Sequence, residues 1–475
     1  MNWRVFDVIF CLAALLGCFF STPRSHALSD NIRGITPNIL FLFTDDQPAN
    51  CTGYSGNEAI KTPHLDALAR RGTVFTNAFV TTAICCSNRA CILTGQTMKL
   101  HGVTDFRTPL SKEAFAKTYP AILRKSGYRT GYLGKFAIGN PKLYPAELAL
   151  PNSDFDFWYG FPQDISYKQT IDGKTRFLTE VMTEKAIEFL ETNDERPFCL
   201  TVAFKEPHGP FDYFDPHVKN PYSGVDLPPS LTFTLADFEQ QPAFIQNSLN
   251  GSDSRRMLQN TDLYQDELRT FYRSVTRADQ AVGEILAALK RLGFAENTVV
   301  IFSSDHGSLL GDHGLTGKWL MYENSIRIPL IIFDPRVHQN DHQSPNTLKH
   351  SERNEIVLSI DLAPTILSLA GVSITDDMEG RDLMPLVQGQ LRSWRSHFYY
   401  EHIFTSTIKN LAPIPRTEGI RTANWKYVRY PDQSPVYEQL FDLENDAFEQ
   451  CNLIDAVSCE GVANGLRAIC DAESR

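Results

Sequence analysis

"PNILFLFTDDQ", residues 37–47, is a short apolar run that stops abruptly at two adjacent carboxylates, Asp45 and Asp46. That pattern predicts a buried strand whose C-terminal end opens onto a loop. "TVVIFSSDHG" (298–307) has the same design and ends on Asp305 and His306. Around these two runs, strand and helix signals alternate. "TPHLDALARRG" (62–72) offers Thr62 as N-cap, Pro63 at the first helical position and Gly72 as a stop. "TYPAILRKSGYRTGYLGKF" predicts a helix from Thr118, a terminator at Gly127 and a strand running into Lys135. "PFCLTVAFKEPHGPF" predicts a strand over 198–204 and then a loop with His208 between two prolines. A long amphipathic helix follows at 266–293, and another helix at 361–372. Strands alternating with helices imply an α/β domain with a mainly parallel sheet, which binds ligands beyond the carboxyl ends of its strands. Every polar cluster just named falls there.

The chain has 475 residues, more than one ordinary core holds, so a large domain with a smaller companion is expected. Its formal net charge of −11 argues against a nucleic-acid or acidic-lipid binder. An anionic substrate would therefore need positive charge local to a pocket. The N-terminus carries Arg4, an apolar run from Ile9 to Phe20, and "SHA" ending at Ala27. That layout predicts a signal peptide over 1–27, cleaved near Ala27, and a secreted or periplasmic protein. The run is too short to span a bilayer, which takes about 20 residues, so no membrane span is expected in the mature chain. Export permits disulfides, and Cys451, Cys459 and Cys470 stand close enough in sequence for one bridge to staple the tail, the pairing being unreadable. After about residue 375 the texture changes to short strand-like pieces, "HFYYEH", "RTANWKYVRYP" and "QLFDLEND". We therefore expect a main domain over 28–375 and a smaller antiparallel α+β subdomain over 376–475.

One strand-end Asp is usually a turn former. Asp45, Asp46 and Asp305 at one sheet edge differ, because three carboxylates cannot sit together ionised without a cation. A hard divalent metal resolves this, with Ca²⁺ favoured by the exported setting, although His306 is a ligand more typical of softer metals. "TTAICCSNRACILTG" (81–95) then crowds Cys85, Cys86 and Cys91 around Arg89. Buried packing accounts for Cys86 and Cys91, and no zinc-type ligand spacing is present. Cys85 reads as a nucleophile at a strand-to-helix turn, with Arg89 one helical turn on to stabilise negative charge.

From about residue 36 to 455 the chain resembles the type I sulfatases of the alkaline-phosphatase-like superfamily. Where their signature runs Cys-x-Pro-Ser-Arg-Ala-x-x-x-Thr-Gly, this chain reads Cys85-Cys86-Ser87-Asn88-Arg89-Ala90-Cys91-Ile92-Leu93-Thr94-Gly95. "NILFLFTDDQ", "GYRTGYLGKF", "PHGPF", "SSDHGSLLGDHGLTGK" and "YENSIRIPLI" follow the family's order. The resemblance implies an alkaline-phosphatase-like sheet sandwiched by helices. It also implies that a maturation enzyme oxidises Cys85 to formylglycine, whose hydrate attacks sulfur with one hydroxyl and expels sulfate through the other. A thiolate would instead be left sulfated, and covalent catalysis needs the easy second step. Carried over by the match, Asp45, Asp46, Asp305, His306 and the modified Cys85 hold a divalent metal, for which Ca²⁺ is expected. Arg89 helps activate the nucleophile, while Lys135, Lys318 and His208 bind sulfate oxygens and assist the leaving group. Glu323 and Arg327 are expected to form a buried ion pair under the loop of Lys318. His313 either lines the pocket or shapes a turn.

There are three departures from the family pattern. Ser87 replaces the usual Pro, Asn88 the usual Ser, and Phe136-Ala137 the usual Trp-His. The expected activity is release of inorganic sulfate from an organic sulfate ester. A sulfated carbohydrate is preferred because the loop after His208 is rich in Tyr and Phe, which suit sugar rings. The rivals are a phosphonate or phosphate monoester hydrolase of the same superfamily and a silent relative that only binds sulfated ligands.

Overall fold

The apolar run at 37–47 becomes β1 (Asn38–Thr44), with all seven residues buried. The protein is described by a computed structural model covering residues 36–163, 165–215, 218–338, 351–390, 393–403 and 414–475, so the expected leader at 1–27 lies outside the described residues. With β1, the strands β2 (Thr73–Phe75), β3 (Arg129–Lys135), β4 (Phe157–Phe161), β5 (Phe198–Ala203), β6 (Thr298–Ser304), β7 (Leu330–Phe333) and β8 (Ser351–Arg353) form one sheet. Its order is β8-β2-β7-β6-β1-β5-β3-β4. β1 lies parallel between β5 and β6, pairing Ile39 with Cys199 and Leu42 with Phe302. β7 runs antiparallel to both β6 and β2, so the sheet is mainly, not wholly, parallel.

Side chains of β1 alternate between two cores. Ile39, Phe41 and Phe43 join one cluster, and Leu40 and Leu42 the other. Helices cover these faces and the tail: α1 (Pro63–Arg71), α2 (Cys85–Thr94), α3 (Tyr119–Lys125), α4 (Leu178–Glu191), α5 (Thr261–Arg291), α6 (Leu362–Leu369) and α7 (Glu460–Glu473). Ile92 of α2, Leu123 of α3 and Leu367 of α6 pack on the first face, while Leu65 of α1, Met182 of α4 and Ile285 of α5 pack on the second. A sheet buried on both faces explains why its strands read as continuous apolar runs. α5 buries Phe271, Val275, Ala278, Val282, Ile285 and Leu289, a stripe at helical spacing. It begins earlier than its apolar pattern suggests because Asn260 caps it, its side chain accepting a hydrogen bond from Leu263 N at 3.1 Å. Gly72 ends α1 with φ −111°, and its value there is space, since a Cβ would stand 2.9 Å from the carbonyl oxygen of Ile332.

At the C-terminal end, β9 (His397–His402), β10 (Thr417–Thr422), β11 (Trp425–Tyr430) and β12 (Tyr437–Asp442) form a separate antiparallel sheet in that order. α7 lays Leu466 and Cys470 on Ile420, Tyr427 and Leu440 of this sheet. The disulfide expected among Cys451, Cys459 and Cys470 is not formed, and all eight described cysteines are free thiols. The tail is held instead by that apolar contact and by ion pairs from Arg429 to Asp471 (2.5 Å) and Arg467 to Glu438 (2.7 Å).

Candidate active site

Strand register brings the carboxylates together. Thr44 pairs with Ser304 across β1 and β6, so Asp45 and Asp305 leave the sheet side by side. Asp305 N donates to Thr44 O at 3.0 Å, and Asp46 N donates to Asp305 Oδ1 at 3.1 Å. Asp46 adopts φ 75°, a left-handed turn that carries its carboxylate over the strand end. From the next strand over, Glu206 O accepts Asp45 N at 2.8 Å, which seats the loop of His208 beside them. Lys135 is the last residue of β3, on the far side of β5. Cys85 is the first residue of α2, a helix buried along all ten residues.

The sulfur of Cys85 is the meeting point. Its thiol donates to Asp45 Oδ1 at 3.3 Å. Lys318 Nζ donates to it at 3.2 Å and Lys135 Nζ at 3.8 Å, while His306 Nε2 lies 3.2 Å away. Lys135 also reaches Asp45 Oδ2 at 2.5 Å, and Lys318 reaches Asp46 Oδ1 at 2.5 Å. Arg89 lies behind this layer, with Nε 2.9 Å from Asp305 Oδ2 and a second nitrogen 3.5 Å from Asp45 Oδ2. His208 is more peripheral, its Nε2 3.8 Å from Asp46 Oδ2. The nine residues singled out for chemistry thus occupy one place, although they come from six separate stretches of chain.

Charge and burial set the protonation states. Burial alone would raise the carboxyl of Asp45, but Lys135, His208, Arg89 and Lys318 hold it well below the usual carboxylate range. Burial likewise opposes ionisation of Asp46, and Lys318, His208 and His306 outweigh it. The thiol of Cys85 is pushed well up, first by burial and then by Asp45, against the pull of the two lysines. It is therefore a neutral thiol and a poor nucleophile at neutral pH. Burial pushes the imidazole of His306 down, so it is neutral. The carbonyl of Gly307, 2.9 Å from Nδ1, selects the tautomer whose Nε2 lone pair faces the cluster.

The donor set fits a divalent cation. One ligand atom each from Asp45, Asp46, Cys85 and His208 lie within 4.8 Å of one another, as do those from Asp45, Cys85, Asp305 and His306. Carboxylates in this number, backed by one neutral imidazole, match hard to borderline metals.

Several neighbours complete the surroundings of the cluster. Asn88 donates to the backbone carbonyl of Asp305 and accepts from Ser359 Oγ at 2.6 Å. At position 88 the amide thus serves both partners at once, one through its nitrogen and the other through its oxygen. Ala137, at φ 60°, is fully buried, and Phe136 fills the adjoining space edge-on against Tyr132 and Trp158. Glu206 is fully buried without a hydrogen bond to its carboxylate among the described residues, and burial pushes it up to about 7. The ion pair expected between Glu323 and Arg327 is not the one formed. Glu323 pairs instead with Arg421 at 3.0 Å and Lys426 at 2.8 Å, both from the C-terminal sheet, and Arg327 adds only a weaker, longer-range attraction. His313 belongs to the turn: its ring stacks on Tyr322 at 3.9 Å, and its backbone N donates to Thr232 Oγ1 at 2.8 Å.

Comparison with known proteins identifies the family. The pattern of the Sulfatase family matches residues 37–372, and that of the N-sulphoglucosamine sulphohydrolase C-terminal region matches residues 311–473. The chain is 27% identical to an N-acetylglucosamine-6-O-sulfatase of Bacteroides thetaiotaomicron, over 88% of this chain and 82% of that one. It is 29% identical to an arylsulfatase of Clostridium perfringens, over 91% and 93%. In fold it matches a protein solved with its substrate D-glucosamine-2-N,6-O-disulfate (TM-score 0.75, 24% identity, 92% and 97% covered). It also matches a phosphonate monoester hydrolase of Agrobacterium radiobacter (TM-score 0.73, 23% identity, 90% and 94% covered). The match over most of its length shows that the chain belongs to the sulfatase family, a sulfuric ester hydrolase on an alkaline-phosphatase-like fold.

Proposed function

We propose that this protein releases inorganic sulfate from a sulfated carbohydrate outside the cytoplasm, using formylglycine made from Cys85 and a divalent cation, Ca²⁺ by preference. One observation carries the reading: four carboxylate or imidazole ligands and two lysines gather at the sulfur of Cys85, with Arg89 behind them on Asp45 and Asp305. Asp45, Asp46, Asp305 and His306 would hold the ion, which when bound supplies positive charge for orienting the nucleophile and the sulfate. The neutral, buried thiol supports conversion of residue 85 by a maturation enzyme, because an aldehyde hydrate offers the hydroxyls that the thiol lacks. Arg89 fixes Asp45 and Asp305. Lys135 and Lys318, both within reach of position 85, are placed to bind sulfate oxygens, in a pocket that burial makes electrostatically strong. Lys318 or His208 would give the leaving alcohol its proton.

The carbohydrate preference is supported by the named activity of the Bacteroides relative and the ligand of the solved neighbour. The aromatic loop after His208 supports it less than its sequence suggests. Phe211 and Phe214 stack on Tyr167, and Phe214 also on Phe177, so these rings are engaged in packing. Export rests on the apolar leader, and among the described residues no helix is long and apolar enough to cross a membrane.

A second reading, phosphonate ester hydrolysis, is favoured by the Asp305–His306 pair and by the fold of the Agrobacterium enzyme. Turnover of 4-nitrophenyl sulfate against 4-nitrophenyl phenylphosphonate, followed by desulfation of defined sulfated saccharides, separates the two. A higher kcat/KM on the sulfate and release of sulfate from at least one saccharide are expected. Preference for the phosphonate overturns the first reading. An unmodified thiol at residue 85 in protein from its native host, with neither ester cleaved, supports a silent ligand-binding relative.

A further inference from the structure

Tyr400 lies in β9 of the C-terminal sheet, and its side chain is fully buried. Its hydroxyl accepts a hydrogen bond from Ala83 N at 3.2 Å and donates one to Trp319 O at 2.6 Å. Ala83 stands two residues before Cys85, and Trp319 one residue after Lys318. A single oxygen therefore ties the backbone entering α2 to the backbone leaving Lys318. Across this tie the Lys318 ammonium sits 3.2 Å from the sulfur at position 85. Trp319 needs such a hold, because at φ 79° a bulky residue occupies a costly conformation.

The sheet around Tyr400 is shaped for the same loop. Gly419, the register partner of Tyr400 on β10, leaves room for Met321, whose Sδ would lie 2.4 Å from any Cβ added there. Lys426 Nζ on β11 donates to Met321 O at 2.8 Å and pairs with Glu323 and Glu449. Trp319, Met321 and Glu323 are thus each met by this sheet through a named bond or contact.

We propose that Tyr400 is a positioning residue whose hydroxyl fixes the separation between residue 85 and Lys318, so that the C-terminal sheet sets where Lys318 stands as the leaving-group proton donor. This rests on the hydrolase reading given above. Misplacing a proton donor matters most for esters whose leaving alcohol is a poor anion, because those depend on protonation in the transition state.

Tyr400→Phe removes the oxygen and keeps the ring, so the core packing survives. The test measures kcat and KM of both proteins on a series of ring-substituted phenyl sulfates and on the matching phenylphosphonate esters, with thermal midpoints recorded alongside. The expected result is a loss in kcat of about tenfold for the poorest leaving groups, little loss for the best, and KM nearly unchanged. A steeper dependence on leaving-group pKa at a near-native midpoint supports the clamp. An unchanged slope, whether rates fall uniformly or not at all, overturns it. Should Tyr400→Phe fail to fold, Lys426→Arg, which shifts the second anchor while keeping its charge, is expected to steepen the same slope, and an unchanged slope there also overturns the clamp. Wild-type protein inert towards both series and towards the defined sulfated saccharides overturns the hydrolase reading, and the clamp's catalytic role with it.

Discussion

Cys85 shows how the site's charge distribution limits its own thiol. Burial and Asp45 hold the proton on sulfur even though two lysines lie within reach. Replacing it by Ala removes the atom that is to become the nucleophile while leaving a small apolar residue in a buried helix turn. Cys85→Ala is expected to lower turnover by at least about 10³-fold with native-like far-UV circular dichroism, measured on the same aryl sulfate. His101 illustrates a different constraint. Its Nδ1 accepts from Val103 N at 3.0 Å, and its Nε2 lies 3.3 Å from the sulfur of Cys91, so both ring nitrogens are committed to the neutral form. Burial pushes it down to about 4, below an unfolded value near 6.5. The unfolded chain then binds the proton first, so stability is lost as pH falls from about 6.5 towards 4. Urea unfolding at pH 7 and pH 5 is expected to show a smaller loss in His101→Gln than in wild type, by about 1–2 kcal/mol. An equal loss in both proteins would remove His101 as the cause.

At the scale of elements, β3 delivers Lys135 by approaching β5 unusually closely. Gly134, at φ 96°, would place a Cβ 1.9 Å from the carbonyl oxygen of Ala203. Both the left-handed backbone and the contact demand glycine. Gly134→Ala is expected to cost about 3 kcal/mol or more and to lower activity further by moving Lys135; denaturant midpoints and kcat check the two effects separately. The C-terminal elements tell a related story. Strands β9 to β12 were readable as an antiparallel group, yet their role as the wall behind Lys318 was not. Glu323 finds Arg421 and Lys426, about a hundred residues on, rather than the nearby Arg327 that spacing suggested. Helical spacing predicts local pairs, and a buried carboxylate is served by whichever cations the tertiary packing brings to it. α7 likewise takes over the anchoring that a disulfide was expected to supply.

For the whole molecule, the acidic cluster is a long-range construction. Asp45 and Asp46 follow the first strand of the sheet, Asp305 and His306 follow β6, and Cys85 opens α2. Folding without a cation has to gather these carboxylates against their mutual repulsion, balanced by Lys135, Lys318 and Arg89. An ion that binds the folded chain and not the unfolded one stabilises it by mass action, about 2.7 kcal/mol at a hundred times its Kd. Chelation with EDTA is therefore expected to lower the thermal midpoint along with activity, and Ca²⁺ to restore both. A midpoint indifferent to EDTA and to added Ca²⁺ would argue against a divalent ion at this cluster.

The sequence by itself determined the layered α/β architecture and the nine side chains that gather at its sheet edge. Apolar strands that end in charge can satisfy both burial and hydration only if the charged ends share one edge of the sheet, and the ordered motifs identified that edge. Only the tertiary structure decided how the meeting is held: Asn88 bridging Asp305 and Ser359, Glu323 turning to Arg421 and Lys426, Tyr400 joining the segments of Cys85 and Lys318. Those contacts join residues remote in sequence through ordinary side chains, whose partners depend on packing and register rather than on any local pattern.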